Sequence, residues 1–232
     1  MRKREESILI HKIHLWKILY SPKKVFKELH RADEVEGWLS QFIVLLFVSG
    51  FLSSLNFYAV IMSKHTSSQD LEKMGFSQLN VQEIALFLSF TFMIVSIVTI
   101  IVSIGVFTSI LSLFFKEVGF KIIFIIVLYS VTTGVVHLLL ELPLIFLLDY
   151  NPLEYSFYSL AYVIQDYTDS LFLPIFLNYL SIFTIWGLVI LYLGLREFSR
   201  KSNVIIATII ITVSLVLIFF MTKLDIRAMT SS

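Results

Sequence analysis

Five long apolar stretches decide what this sequence can fold into. They cover residues 38–62, 84–115, 122–148, 171–195 and 204–221. A helix needs roughly 20 apolar residues to cross a bilayer, and each stretch approaches or exceeds that length. None of them alternates between polar and apolar residues with frequent turns, which argues against a β-barrel. The sequence therefore predicts an all-α, polytopic membrane protein, a bundle of five transmembrane helices.

Composition supports a bilayer as the solvent. Hydrophobic residues make up 57% of the 232 residues and charged residues 15%, whereas a soluble domain has about 45–50% and ~25%. The net charge of +1 argues against a nucleic-acid partner, because phosphate binding needs a clustered basic surplus. The chain has no cysteine, which excludes disulfides, thiolate metal sites and cysteine nucleophiles.

The distribution of lysine and arginine predicts the orientation. Fourteen of these residues fall before the first stretch, after the second or after the fourth, and four fall on the other side. Because basic loops stay in the cytoplasm, the N-terminus is predicted inside and the C-terminus outside, in the cell membrane. Residues 222–232 would then form a short extracytoplasmic tail.

Residues 1–37 are predicted to form a cytoplasmic, basic and amphipathic arm. Ser21-Pro22 is typical of a helix start, with serine at the N-cap and proline in the first turn. One interpretation lays the arm on the inner membrane surface, and the alternative packs it under the bundle. The residues predicted to serve the surface role are Trp16, Pro22, Lys23, Lys24 and Lys27.

A second amphipathic segment is predicted between the third and fourth stretches. Asn151-Pro152-Leu153-Glu154 resembles a capped helix start. Tyr155, Tyr158 and Tyr162 would then share one helix face, either at the headgroup level or as a docking face for a partner.

His137 and Glu141 are the residues of the third stretch that cost the most free energy to place inside a membrane. They lie four residues apart, so a helix places them on one face where they can pair. Ionisable groups at membrane depth are expensive and often functional. The pair is therefore predicted either to hold helices together or to form a proton-linked site.

Small residues recur at four-residue spacing along the first three stretches. Such spacing lets helix backbones approach closely, and we expect packing within the chain, with a partner-binding face as the alternative. The residues are Ser49, Gly50, Ser53, Ser54, Gly105, Ser109, Ser130 and Gly134. Asn56 and Asn178 are further polar groups that could bond between helices.

No catalytic residue, metal ligand or cofactor is predicted. The sequence lacks the phosphate-binding G-x-x-x-x-G-K-[ST], the zinc motif H-E-x-x-H and the G-x-S-x-G elbow. His11 and His14 have no third ligand in view. These absences together predict a protein that is not an enzyme.

The sequence resembles the Yip (Ypt-interacting-protein-like) family of five-span membrane proteins. The likeness rests on the arm with Trp16, Ser21-Pro22 and Phe26, and on the five-helix plan. It is most specific in the fourth stretch, through Asn178, Trp186 and Gly194.

Within this family the sequence looks most like a bacterial member, and that likeness implies a partner role beside an ABC-type exporter that protects the cell from a toxic peptide. A non-enzymatic accessory protein is therefore the first functional hypothesis, with membrane lipid and transporter subunits as partners and a homo-oligomer left open. The second is a small proton-coupled carrier using His137 and Glu141. The third is a lipid-sensing membrane organiser that uses the basic arm.

Overall fold

A computed structural model of the chain describes residues 10–12, 14–62, 80–148, 155–164, 167 and 170–231. The described part is predominantly α-helical. Two short strands and a 3₁₀ helix (Leu15–Leu19) belong to the arm. The elements are β1 (Ile10–Lys12), α1 (Pro22–Arg31), β2 (Glu34–Glu36), α2 (Trp38–Met62), α3 (Val81–Phe114), α4 (Phe120–Leu147), α5 (Leu160–Ile164), α6 (Phe172–Asn178), α7 (Ile182–Phe198) and α8 (Asn203–Ser231).

Four helices in the described part are long and apolar enough to cross a membrane, where the sequence predicted five. They are α2, α3, α4 and α8 as far as Arg227. The stretch predicted as the fourth span, 171–195, is two helices, α6 and α7, separated at residues 179–181. The break has a local cause, because the Ser181 hydroxyl accepts a hydrogen bond from the Thr184 N–H and caps a new helix start.

Helix α8 also differs from its predicted length. The apolar stretch ends at residue 221, but the helix continues to Ser231. The segment predicted as a short tail is therefore helical up to that residue.

The bundle is built around α4, which packs against α2, α3 and α7. Along their most apolar 18 residues, 44% of α2 and 50% of α4 are buried, against only 17% of α3 and 22% of α8. The two peripheral helices, α3 and α8, make few contacts with each other. They leave an opening between them in front of α4 and α7, which we call the lateral crevice.

The arm closes one end of the bundle, the arm end. The 3₁₀ helix packs against α4, and α1 packs against α7. β1 and β2 pair in parallel, with Ile10 opposite Glu34 and Lys12 opposite Glu36. The apolar side of the arm is fully buried through Leu15, Ile18, Val25, Phe26 and Leu29.

The opposite end of the bundle, the far end, holds the residues between α4 and α7. Asn151 to Glu154, the predicted helix start, lie outside the described residues. Tyr155 and Tyr158 precede α5, which begins only at Leu160. The prediction that three tyrosines share one helix face is therefore wrong, because the chain around Tyr155 and Tyr158 is not helical.

Candidate functional site

A cluster of polar side chains joins three elements at the far end. His137 Nε2 lies 2.7 Å from Ser156 Oγ and 3.0 Å from Glu141 Oε1. The Ser156 N–H donates to Asn178 Oδ1 over 2.7 Å. This far-end cluster, His137, Glu141, Ser156 and Asn178, connects α4 to the segment before α5 and to the end of α6.

Backbone bonds strengthen the same junction. The Ile182 N–H donates to the Tyr158 carbonyl over 3.2 Å, and Ser159 and Ser181 form an isolated antiparallel bridge. The break between α6 and α7 exposes backbone groups that an unbroken helix would satisfy itself. The non-helical segment 155–159 supplies partners for them, which explains why the break is tolerated there.

Aromatic rings surround the imidazole. Phe183 stacks on His137 with ring centroids 5.1 Å apart, and Tyr158 meets it edge-on at 5.9 Å. Burial raises the pKa of the Tyr158 phenol, and the nearby Glu141 carboxylate raises this pKa further. Phe183 and Tyr158 thus cover two sides of the His137 imidazole.

The residues of this cluster can take part in hydrogen bonding and proton sharing. Glu141 is 6% exposed, and its Oε1 has no partner in hydrogen-bond geometry among the described residues, although His137 lies at ion-pair distance. No group of three or more His, Cys, Asp or Glu able to hold a metal occurs in the described ranges. One carboxylate and one imidazole can share a proton and can anchor a loop.

The lateral crevice begins beside His137 and has a volume of about 690 Å³. Its walls come from α3, α4, α7 and α8 and are mostly apolar. Gly134 lines it, and a Cβ built there would meet nothing within 4 Å. Ser214 lines it from α8, and this buried hydroxyl has no hydrogen-bond partner in the described part of the chain.

The predicted small residues separate into two groups. The first group lies on α2. A Cβ at Gly50 would come within 2.7 Å of Ile97, so this glycine allows α2 to lie close to α3. Ser49 and Ser53 are buried on the same helix, and Ser54 is partly buried. Gly105 and Gly134 have open space before them, and Ser109 is exposed.

Gly187 of α7 is a packing residue that the sequence reasoning missed. Its Cβ would lie 2.9 Å from the Ser130 carbonyl oxygen of α4. Ser156 and Ser181 of the junction were also missed. Only Ser181 carried a signal, since a serine at the start of an apolar helical run is typical of an N-cap.

The residues that carried the family likeness in the fourth stretch have three different surroundings. Asn178 accepts from Ser156 at the far end, and not from another helix. Trp186 is 49% exposed on the outside of the bundle. A Cβ at Gly194 would meet Ile126 at 2.5 Å and the Phe26 ring at 2.9 Å, so α7, α4 and α1 converge there. Asn56, by contrast, bonds between helices and donates to the Leu138 carbonyl over 2.9 Å.

The arm residues predicted for the surface role face away from the bundle, whereas the apolar side of the arm is buried against it. Lys23, Lys24 and Lys27 are exposed, Trp16 is 46% exposed and Pro22 is partly exposed at the start of α1. The packing alternative thus holds for the apolar side of the arm, while its basic side stays free for other contacts.

Comparison with known proteins identifies a family for this chain. The Yip1 domain model covers residues 16–222, from the 3₁₀ helix of the arm to α8. No curated protein and no solved structure matches the chain. The matched range contains the arm, the bundle and the far-end cluster. This chain is therefore a membrane protein that belongs to the Yip1 domain family.

Proposed function

We propose that this protein is a non-enzymatic accessory subunit that assembles or stabilises a partner transporter in the cell membrane. The lateral crevice carries the proposal. It is an apolar opening of about 690 Å³ at the periphery of the bundle, lined by Gly134 and by the unpartnered Ser214 hydroxyl. Small residues and free hydroxyls are what transmembrane helices use to associate, since lipid provides no hydrophobic driving force between them.

The occupant of the crevice is proposed to be a transmembrane helix of the partner. An acyl chain would fill the apolar volume but would leave the Ser214 hydroxyl without a partner. A helix with a serine, threonine or asparagine at the contact satisfies it. α3 and α8, the least buried long helices of the described part, then flank the docked helix.

The proposed membrane topology has five crossings with the N-terminus in the cytoplasm. Helix α7 has 17 residues, which at 1.5 Å each gives about 26 Å, close to the ~30 Å hydrocarbon thickness. α6 would complete the crossing at the far end. The basic loops then lie inside, as lysine and arginine bias requires.

The partner is proposed to be an ABC-type exporter that removes a toxic or antimicrobial peptide. This step rests on the interpretation that, within the family, the sequence looks most like the bacterial member YknW. An exporter brings its own ATPase, and this chain has no phosphate-binding loop of the Walker type. The proposal therefore expects permease and ATPase subunits to accompany the protein.

A matched pair of variants tests the crevice. Gly134→Leu fills it, whereas Gly105→Leu places the same side chain in open space on α3 outside the crevice lining. Affinity purification in mild detergent should recover exporter subunits with the wild type and Gly105→Leu. Steric exclusion of about 1–3 kcal/mol predicts roughly tenfold lower recovery for Gly134→Leu. Equal recovery with both variants, or no exporter subunits with the wild type, contradicts the proposal.

A small proton-coupled carrier is the second candidate function. The buried Glu141 carboxylate, which has an oxygen outside hydrogen-bond geometry, favours it, as does the position of His137 on the crevice wall. Vesicles that contain only the purified chain should then show substrate flux driven by a proton gradient. Glu141→Gln should abolish the flux and leave the protein abundant, whereas wild-type vesicles without flux exclude the carrier.

A lipid-sensing organiser is the third candidate, favoured by the exposed lysines of α1. Anionic surfaces attract each such lysine by about 1 kcal/mol. Replacing Lys23, Lys24 and Lys27 by glutamine should then abolish a response to anionic lipid, measured as vesicle clustering. Unchanged clustering by the triple variant counts against this candidate.

A further inference from the structure

A second cavity, of about 490 Å³, lies between the arm and the bundle at the arm end. The far-end cluster and the lateral crevice do not contribute to it. Most of its lining is charged or titratable, with side chains of both signs, and α4 contributes one tyrosine. The lining residues are Lys12, His14, Lys17, Val25, Glu28, Glu36 and Tyr129. A cavity of this size is in the range of small-ligand sites, about 300–1,000 Å³.

The Tyr129 hydroxyl marks the floor of this cavity. Tyr129 is 0% exposed, and its oxygen has no hydrogen-bond partner in the described part of the chain. The His14 backbone lies near this hydroxyl but does not meet hydrogen-bond geometry. Because a buried hydroxyl without a partner is costly, a ligand atom that accepts from it would stabilise the site.

The charged groups around Tyr129 suit a ligand that carries both charges. Lys17 Nζ and Glu28 Oε2 already form an ion pair of 2.8 Å. Lys12 and Glu36 occupy facing positions on β1 and β2, so a cation and a carboxylate lie together at the edge of the cavity. A phosphate can accept from the Tyr129 hydroxyl and from Lys12, while an ammonium group can donate to Glu36.

The depth of the cavity matches a lipid headgroup. Trp38 begins α2 at the arm end and packs edge-on against Phe124 of α4, with ring centroids 5.6 Å apart. Tryptophan is enriched at the membrane interface. Tyr129 lies five residues further along α4, which is roughly 8 Å deeper at 1.5 Å per residue. The Tyr129 side chain nevertheless lines the cavity beside the arm, because helical side chains lean toward the N-terminus of their helix. Its hydroxyl therefore lies nearer to an interfacial phosphate than its Cα does.

We propose that this cavity binds the phosphoethanolamine headgroup of phosphatidylethanolamine from the leaflet at the arm end. The phosphate is bound by Tyr129 and Lys12, and the primary ammonium by Glu36. The quaternary ammonium of phosphatidylcholine cannot donate a hydrogen bond to Glu36, and phosphatidylglycerol has no ammonium group. The site is distinct from the exposed lysines of α1, which do not line the cavity.

The experiment measures lipid retention by the full-length protein. The protein is reconstituted in nanodiscs with equal amounts of phosphatidylethanolamine, phosphatidylcholine and phosphatidylglycerol and then extracted in mild detergent, and the retained lipids are counted by native mass spectrometry. Phosphatidylethanolamine should be retained preferentially. Tyr129→Phe keeps the ring and removes one hydrogen bond to a charged group, so retention should fall about tenfold.

Further variants test the proposal even if the Tyr129→Phe protein does not fold. Lys12→Gln, at an exposed strand position, should weaken retention even if Tyr129→Phe fails to fold. Glu36→Gln should remove the preference over phosphatidylcholine. Lys24→Gln, exposed on α1 and outside the cavity lining, should retain lipid like the wild type.

Three results would overturn the proposal. Preferential retention of phosphatidylglycerol that Tyr129→Phe leaves unchanged would show only a general attraction of anionic lipid to the arm. Retention of no lipid at all would leave water as the occupant. Complete displacement of the lipid by millimolar O-phosphoethanolamine would assign the site to a soluble ligand in place of a lipid.

Discussion

Gly194 and Gly134 show how single residues set the spacing of this bundle. A Cβ at Gly194 would lie 2.5 Å from Ile126 Cγ2 and 2.9 Å from the Phe26 ring. Real Cβ atoms do not approach other atoms so closely, so α7, α4 and α1 can meet only because this side chain is absent. At Gly134 nothing lies within 4 Å. The two glycines therefore have different physical reasons to be present.

Alanine is predicted to destabilise the protein at Gly194 and not at Gly134. Gly194→Ala should lower the free energy of unfolding by about 1–3 kcal/mol, since two core side chains must move. Gly134→Ala should be neutral or raise it by up to ~1 kcal/mol, because alanine favours the helix over glycine. Thermal unfolding of the purified protein in detergent measures both. Equal destabilisation by the two variants would contradict the packing described for Gly194.

The arm is the element whose role the structure changes most. Its apolar side chains are buried against α4 and α7, while its lysines face away. Phe26 is 1% exposed and meets Tyr129 edge-on at 5.8 Å. The apolar side of the arm is therefore packed onto the bundle, while its exposed lysines are positioned to contact a charged membrane surface.

Hydrogen exchange of residues 22–31 tests how the arm is held. Phe26→Ala creates a cavity worth about 3–5 kcal/mol, so exchange in α1 should become much faster. Replacing Lys23, Lys24 and Lys27 by glutamine should leave the exchange unchanged, even in anionic membranes. Faster exchange in the lysine variant alone would show that lipid charge, and not packing, holds the arm.

Sequence patterns predicted some elements of this fold and not others. Long apolar runs located α2, α3 and α4, because hydropathy reports directly on burial away from water. The same measure could not detect the break at residues 179–181, because hydropathy registers neither the Ser181 cap nor the hydrogen bond that Asn178 accepts from Ser156, 22 positions earlier. His137 and Glu141 were identified by their cost in a membrane. Ser156, the hydrogen-bond partner of His137, lies in a segment where nothing in the sequence distinguished it.

At the scale of the whole molecule, the break between α6 and α7 decides the topology. If α7 crosses the bilayer with α6, the chain crosses five times and its two ends lie on opposite sides. If α6 and α7 stay on one side, only α2, α3, α4 and α8 cross, and both ends lie together. Residues 171–195 form one continuous apolar stretch, so hydropathy predicted a single span there. Hydropathy alone does not reveal a helix break, and the four-crossing alternative was therefore not predicted.

Cysteine labelling separates these topologies, since the chain has no native cysteine to interfere. Ser232→Cys reports on the C-terminus, and Arg200→Cys reports on the loop between α7 and α8, where residue 200 is exposed. With five crossings and the N-terminus inside, a membrane-impermeant maleimide should label Ser232→Cys in intact cells. It should label Arg200→Cys only after permeabilisation.

The other labelling patterns each reject a specific part of that topology. Labelling of Arg200→Cys alone in intact cells would place residue 200 outside and residue 232 inside. That result rejects the proposed topology and fits either four crossings with the N-terminus inside or five crossings with the orientation inverted. Since α8 is long and apolar enough to cross by itself, residues 200 and 232 should lie on opposite sides in either case. The N-terminus is therefore the decisive third position. Protection of an N-terminal cysteine together with labelling of Ser232→Cys requires an odd number of crossings, whereas labelling of both ends, or protection of both, would leave four.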